Sequence, residues 1–129
     1  MKEHIAKQWV EALRSDRYKQ TAALLRTATG FCCLGVLCDI SGVGGWVGKE
    51  YANGDNEVVT QWEYLTAHDG GATILPYSIQ NYGGMASDNG ETVTETGLNA
   101  NALSLAEMND NGMSFAEIAD YIEQNWEKL

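Results

Sequence analysis

From Glu3 to Ser15 the apolar residues Ile5, Trp9, Ala12 and Leu13 recur at three- and four-residue spacing, while Lys2, Lys7, Glu11 and Arg14 take the other faces. This period predicts an amphipathic first helix. Ser15 and Asp16 supply stop or turn residues, and Tyr18 to Thr27 reads as an extended segment leading into an Ala28-Thr29-Gly30 turn. Next comes a nearly unbroken apolar run, Phe31 to Ile40, which holds all three cysteines. Such a run fits a buried strand or a buried helix by periodicity alone. A short buried helix is the better expectation, since Ser41-Gly42 is a stop signal of the kind that follows helices.

Val43 to Asn56 contains Gly44, Gly45, Gly48 and Gly54 around Trp46, Val47 and Tyr51, and reads as a loop. Val58 to Leu65 is rich in Val, Thr, Trp and Tyr, which favours a strand. Ala72 to Leu75 before Pro76 is a second strand, with His68-Asp69-Gly70-Gly71 as the connecting turn of a hairpin. Tyr82 to Leu98 turns polar and Gly-rich, with Glu91 to Thr96 as one more strand or an ordered loop. Toward the end of the sequence, Ser104-Leu105-Ala106-Glu107 and Ser114-Phe115-Ala116-Glu117 are both capping boxes, so two helices should start there. Phe115, Ile118, Ala119, Ile122 and Trp126 trace the apolar face of the second. The expected fold is therefore α+β in a single domain over residues 1–129: an N-terminal helix, a small antiparallel sheet, a buried Cys-rich helix and a C-terminal helix pair.

Composition narrows the functional classes. With 129 residues and 44% hydrophobic content, the chain suffices for one core. The N-terminal pattern lacks the charged leader and apolar stretch of a secretory signal, and no apolar run reaches membrane-spanning length, so a cytoplasmic protein without membrane contact is expected. An odd cysteine count with two adjacent thiols points to reduced cysteines in a reducing compartment. The formal charge of -10 is split unevenly. Residues 1–26 hold six of the eight basic side chains against three acids, a balance of +3, whereas the remainder carries two basic residues against fifteen acids, or -13. An acidic chain is repelled by a nucleic-acid backbone, so direct nucleic-acid binding is not expected. The split suits a small anion held by the basic cluster, or a basic protein met by the acidic part.

Several chemistries fail on spacing. Cys32, Cys33 and Cys38 lack the fourth donor and the Cys-x-x-Cys pair of a zinc site. As nucleophiles they would need His68 with Asp69 or Asp39, although free cysteines among Phe31, Leu34, Val36, Leu37 and Ile40 behave first as buried hydrophobes. Asn109-Asp110-Asn111-Gly112 places Ile118 where a calcium loop needs a bidentate Glu. Asn111 to Ala119 looks like the opening of a helix-turn-helix, but the helix it starts is acidic and no recognition helix follows before Leu129. Gly42 to Gly48 carries no Gly-Lys-Ser/Thr and is no P-loop. No metal or cofactor is implied.

Three blocks carry a resemblance. Trp9 to Gln20 with Leu25-Arg26, then Gly30-Phe31-Cys32-Cys33-Leu34-Gly35-Val36-Leu37-Cys38-Asp39, then Met108 to Asp120 resemble, in order and spacing, a family of small proteins encoded by bacteriophages. The resemblance implies a non-structural protein acting in the host bacterial cytoplasm, where small accessory proteins often blunt host defence by occupying a target rather than by catalysis. Joined to the charge pattern, it suggests an anti-defence binding protein, a homo-oligomer that sequesters a small anionic nucleotide signal. Arg14, Arg17, Lys19 and Arg26 would hold phosphates, Trp9, Tyr18 and Trp62 would stack a base, and Asn81 or Thr92 would meet ribose. Two alternatives stand beside it: an acidic inhibitor directed at a basic host protein, and a small hydrolase using one of the cysteines with His68.

Overall fold

In a computed structural model, which describes residues 1–99 and 101–129, helix α1 (Glu3–Arg14) lays Ile5, Ala6, Trp9, Val10, Ala12 and Leu13 into the core. Helix α2 (Cys33–Ser41) is the buried Cys-rich helix, with Cys33, Leu34, Val36, Leu37 and Cys38 each at 0% exposure. Its N-cap is Cys32, whose sulfur accepts from the Gly35 amide at 3.4 Å, and Gly42 closes it in the left-handed region at φ +66°. The expected C-terminal pair is α4 (Leu105–Asp110) and α5 (Phe115–Asn125), and both capping boxes form in full at Ser104/Glu107 and Ser114/Glu117. One hydrophobic cluster joins α1, α2, α4 and α5 with Leu25, Tyr64, Leu75 and Ile79. The α+β architecture is thus the expected one.

The sheet departs from expectation in its partners. The glycine-rich segment expected as a loop forms strand β1 (Gly45–Ala52), which pairs antiparallel along its whole length with β2 (Val58–Leu65), from Gly45 opposite Leu65 to Ala52 opposite Val58. The glycine content is explained by what lies opposite: Gly48 faces Trp62, and a Cβ there would stand 2.9 Å from Thr60 Cγ2 and 3.2 Å from the indole. In place of a strand over Ala72 to Leu75, only Gly70–Gly71 (β3) pairs with β2. The chain then bends sharply at Gly71, where a Cβ would meet the Ile74 carbonyl at 2.5 Å, and the Ala72 carbonyl accepts from Leu25 rather than from a strand. Pro76 precedes a helix that the sequence pattern does not predict, α3 (Tyr77–Gly83), ended by Gly84 at φ +65°. Glu91 to Thr96 contributes to a minimal hairpin of β4 (Val93–Thr94) and β5 (Gly97–Leu98).

No helix among the described residues is long and apolar enough to cross a membrane.

Candidate functional site: an arginine stacked among aromatic rings

The segment between α1 and α2 runs over the body of the molecule, and two glycines let its backbone come close. A Cβ on Gly30 would stand 2.1 Å from the Lys19 carbonyl, and one on Gly35 would stand 1.8 Å from the Leu25 carbonyl. Buried polar groups fasten the same segment. Asn109, 3% exposed, accepts from the Cys33 amide and the Gln20 carboxamide and donates to the Thr21 carbonyl at 2.8 Å. Gln20 in turn donates to the Met113 carbonyl and accepts from the Phe115 amide. With Leu25 at 0% exposure, the next side chain, Arg26, is turned away from the core toward the β1–β2 hairpin.

Arg26 lies among three rings. Its guanidinium carbon is 3.9 Å from the Trp62 centroid, 5.3 Å from Phe31 and 5.5 Å from Trp46. At 3.9 Å the guanidinium is in stacking contact with the indole, and such cation–π contacts contribute about 0.5–2 kcal/mol. Gly48 gives Trp62 room to lie across the neighbouring strand. An edge-to-face ladder continues from Tyr18 to Phe31 at 5.2 Å, Phe31 to Trp46 at 5.7 Å and Trp46 to Tyr64 at 5.0 Å. Asp39, at the end of the apolar run, accepts from both the Tyr18 hydroxyl and the Trp46 indole N–H, the latter at 3.0 Å. Burial and the bond to this carboxylate push the Tyr18 phenol up to about 12.

The donors of this cluster are short of acceptors. Arg26 makes no ion pair or side-chain hydrogen bond among the described residues. Among the described residues the Trp62 indole N–H is buried without an acceptor, an arrangement that costs about 1–3 kcal/mol. Asp39 is already engaged by two neutral donors. A flat guanidinium with free edges, fixed by stacking, is suited to bind a carboxylate or phosphate bidentately.

The family model for a domain of unknown function, DUF8296, matches residues 1–126. The chain belongs to the DUF8296 family. Comparison with curated proteins and with solved structures finds no match.

Within this DUF8296 chain the seven candidate ligand residues separate into groups. Arg17, Tyr18, Arg26 and Trp62 fall in one neighbourhood linked through Phe31 and Trp46, with the Arg17 guanidinium 5.9 Å from the Tyr18 ring. Lys19 is exposed on the same segment, and its backbone carbonyl accepts from Phe31. Trp9 is at 0% exposure, its indole N–H bonded to the Cys33 carbonyl at 2.9 Å, so its ring is core. Arg14 stands apart, forked between Asp120 and Glu123 at 2.6 Å each, on the rim of an open groove of about 780 Å³ between α1 and α5 that Lys7, Glu11 and Trp126 also line. The space that Gly48 provides and the bridging role of Asp39 are not readable from the sequence. The only signal for Asp39 is a lone carboxylate ending an apolar run.

The thiols lie in the core. Cys32, Cys33 and Cys38 are at most 5% exposed, and burial pushes all three thiols up from their ordinary value. His68 is exposed on a turn whose neighbour Asp69 accepts from Thr66 and from the Ser78 amide, which holds its carboxyl below the usual range.

Proposed function

We propose that this chain is a bacteriophage accessory protein that acts in the host bacterial cytoplasm by sequestering a small anionic nucleotide signal, without chemical turnover. The observation that carries the reading is the Arg26 guanidinium, stacked on Trp62 and free of any acidic partner among the described residues. In a chain of net charge -10 such a cation is otherwise expected to find a carboxylate. Binding rather than catalysis is supported by the buried thiols, which burial keeps protonated, while His68 is exposed on a turn. Arg26, Phe31, Trp46 and Trp62 are half-buried, and the reading includes a homo-oligomer in which a second copy walls the site.

The test is thermal unfolding against cyclic dinucleotides, cyclic oligonucleotides and ADP-ribose derivatives. A ligand at a hundred times its dissociation constant stabilises by about 2.7 kcal/mol. A shift that disappears in Arg26→Ala, with intact ligand recovered after denaturation, supports sequestration. A panel without any shift removes the reading.

One feature favours the second reading, an inhibitor directed at a basic host protein. The distal end of the β1–β2 hairpin, beyond Trp46, Trp62 and the buried Tyr64, is exposed on both faces, with Tyr51 at 51% and Val58 at 70%, and among the described residues β1 pairs with β2 alone. A two-stranded ribbon exposed in this way is marginal alone and gains by docking. Capture of a host protein whose affinity falls as salt rises would select this reading over the first.

A further inference from the structure

We propose that Arg26 and Trp62 together form a slot selective for a tetrahedral oxyanion, the phosphoryl group of a ligand, over a planar carboxylate. The inference rests on the binding role proposed for Arg26 and deepens it. Two donor sets meet here without acceptors: the guanidinium fork and the buried indole N–H. Because the guanidinium lies over the indole at 3.9 Å, its N–H groups and the N–H of Trp62 occupy different levels.

That offset selects geometry. A carboxylate is planar and spends both oxygens on the fork, which leaves the indole N–H unmatched. A phosphoryl group has three terminal oxygens pointing in three directions; two take the fork while the third reaches the second level. The indole N–H is buried in the unliganded fold, so the third oxygen reaches it through a local side-chain shift that uncovers it while the guanidinium stays over the ring. Charge-assisted hydrogen bonds at the free edges of the fork then add to the cation–π attraction. Nearby, Asp39 does not compete for the fork, since Tyr18 and Trp46 hold its two oxygens, one each.

Tryptophan fluorescence of the full chain, titrated with inorganic phosphate, pyrophosphate and malonate, tests the slot. The expected result is saturable quenching by phosphate and pyrophosphate with malonate at least tenfold weaker. Trp62→Phe keeps the ring and the stack but removes the N–H. It should weaken pyrophosphate about fivefold to tenfold, the loss of one charge-assisted hydrogen bond, and should leave malonate unchanged. Arg26→Lys keeps the charge and removes the fork, and should narrow the phosphate-to-malonate ratio to near one. An unchanged far-UV spectrum and melting temperature certify both variants as folded. Equal affinity for malonate and phosphate overturns the slot, as does a Trp62→Phe variant that binds pyrophosphate like the parent. The two proposals separate cleanly: pyrophosphate bound with no nucleotide bound removes the nucleotide reading alone, whereas a nucleotide bound equally by Trp62→Phe removes the slot alone.

Discussion

The Leu25 carbonyl oxygen lies 1.8 Å from the point where a side chain at Gly35 would begin. That contact lets the Leu25–Arg26 segment lie flat on α2, with the Cys32 amide donating to the Leu25 carbonyl at 3.2 Å. Gly35 is therefore needed for space, even though it occupies a helix, where alanine is favoured by about 1 kcal/mol. The clash is with backbone, which cannot swing aside as a side chain can, so the overpacking cost of about 1–3 kcal/mol outweighs the propensity gain. Gly35→Ala should lower the urea midpoint and also weaken ligand binding, because it displaces the backbone that aims Arg26. A variant more stable than the parent would show that the segment yields freely.

Asn109 makes the second prediction. Its carboxamide serves the Cys33 amide, the Gln20 side chain and the Thr21 carbonyl, and it is 3% exposed. Replacement by Ala strands a buried donor and a buried acceptor, at about 1–3 kcal/mol each. Asn109→Ala should lose about 3 kcal/mol in chemical denaturation, with no change in the two capping boxes. A loss below about 1 kcal/mol would mean that water satisfies the stranded groups.

How much of this was legible in the sequence depended on whether the signal was local. The capping boxes at Ser104 and Ser114 and the period of α1 are complete within one or two turns, and each appears where the pattern put it. Strand β1 was unreadable because Gly45 and Gly48 weaken strand propensity, and their purpose lies across the hairpin, where Gly48 makes room for Trp62. Ala72 to Leu75 has strand composition, yet its first carbonyl is taken by Leu25 from a distant segment. The site shows the same limit. The basic cluster was visible, but only the fold reveals that Asp120 and Glu123 flank Arg14 while Arg26 meets Trp62.

That difference between the two arginines gives the third prediction. Arg14 is exposed and already matched by two carboxylates, so Arg14→Ala should cost under about 1 kcal/mol. It should leave anion binding intact, whereas Arg26→Ala should abolish it. Parallel titrations of the two variants with pyrophosphate decide the point. Equal loss in both would move the anion site toward the α1–α5 groove.

The cysteines supply a fourth test. Burial raises all three thiols above their ordinary value, so little thiolate exists at pH 8 in the folded chain. Alkylation by iodoacetamide should be slow in native buffer and complete in denaturant, with a native rate that follows unfolding. One thiol reacting rapidly in the folded protein would revive the hydrolase alternative.

The Tyr18–Asp39 bond predicts a pH dependence whose direction is fixed. Folding raises the Tyr18 phenol from 10.0 to about 12, chiefly through burial and then through the bond to Asp39. The folded state thus favours the protonated phenol. Its contribution is fully present below pH 10 and is lost as pH rises toward 12. Tyr18 is only partly buried, so solvent screening reduces this contribution to about 1 kcal/mol. Melting temperatures of the parent should fall between pH 10 and 12 more steeply than those of Tyr18→Phe, whose phenyl ring keeps the edge contact with Phe31 but has no proton to lose. Absorbance at the phenolate band should lose a late-titrating component when Tyr18 is replaced. Parallel pH curves for the two proteins would mean that keeping the Tyr18 phenol protonated contributes nothing to folding.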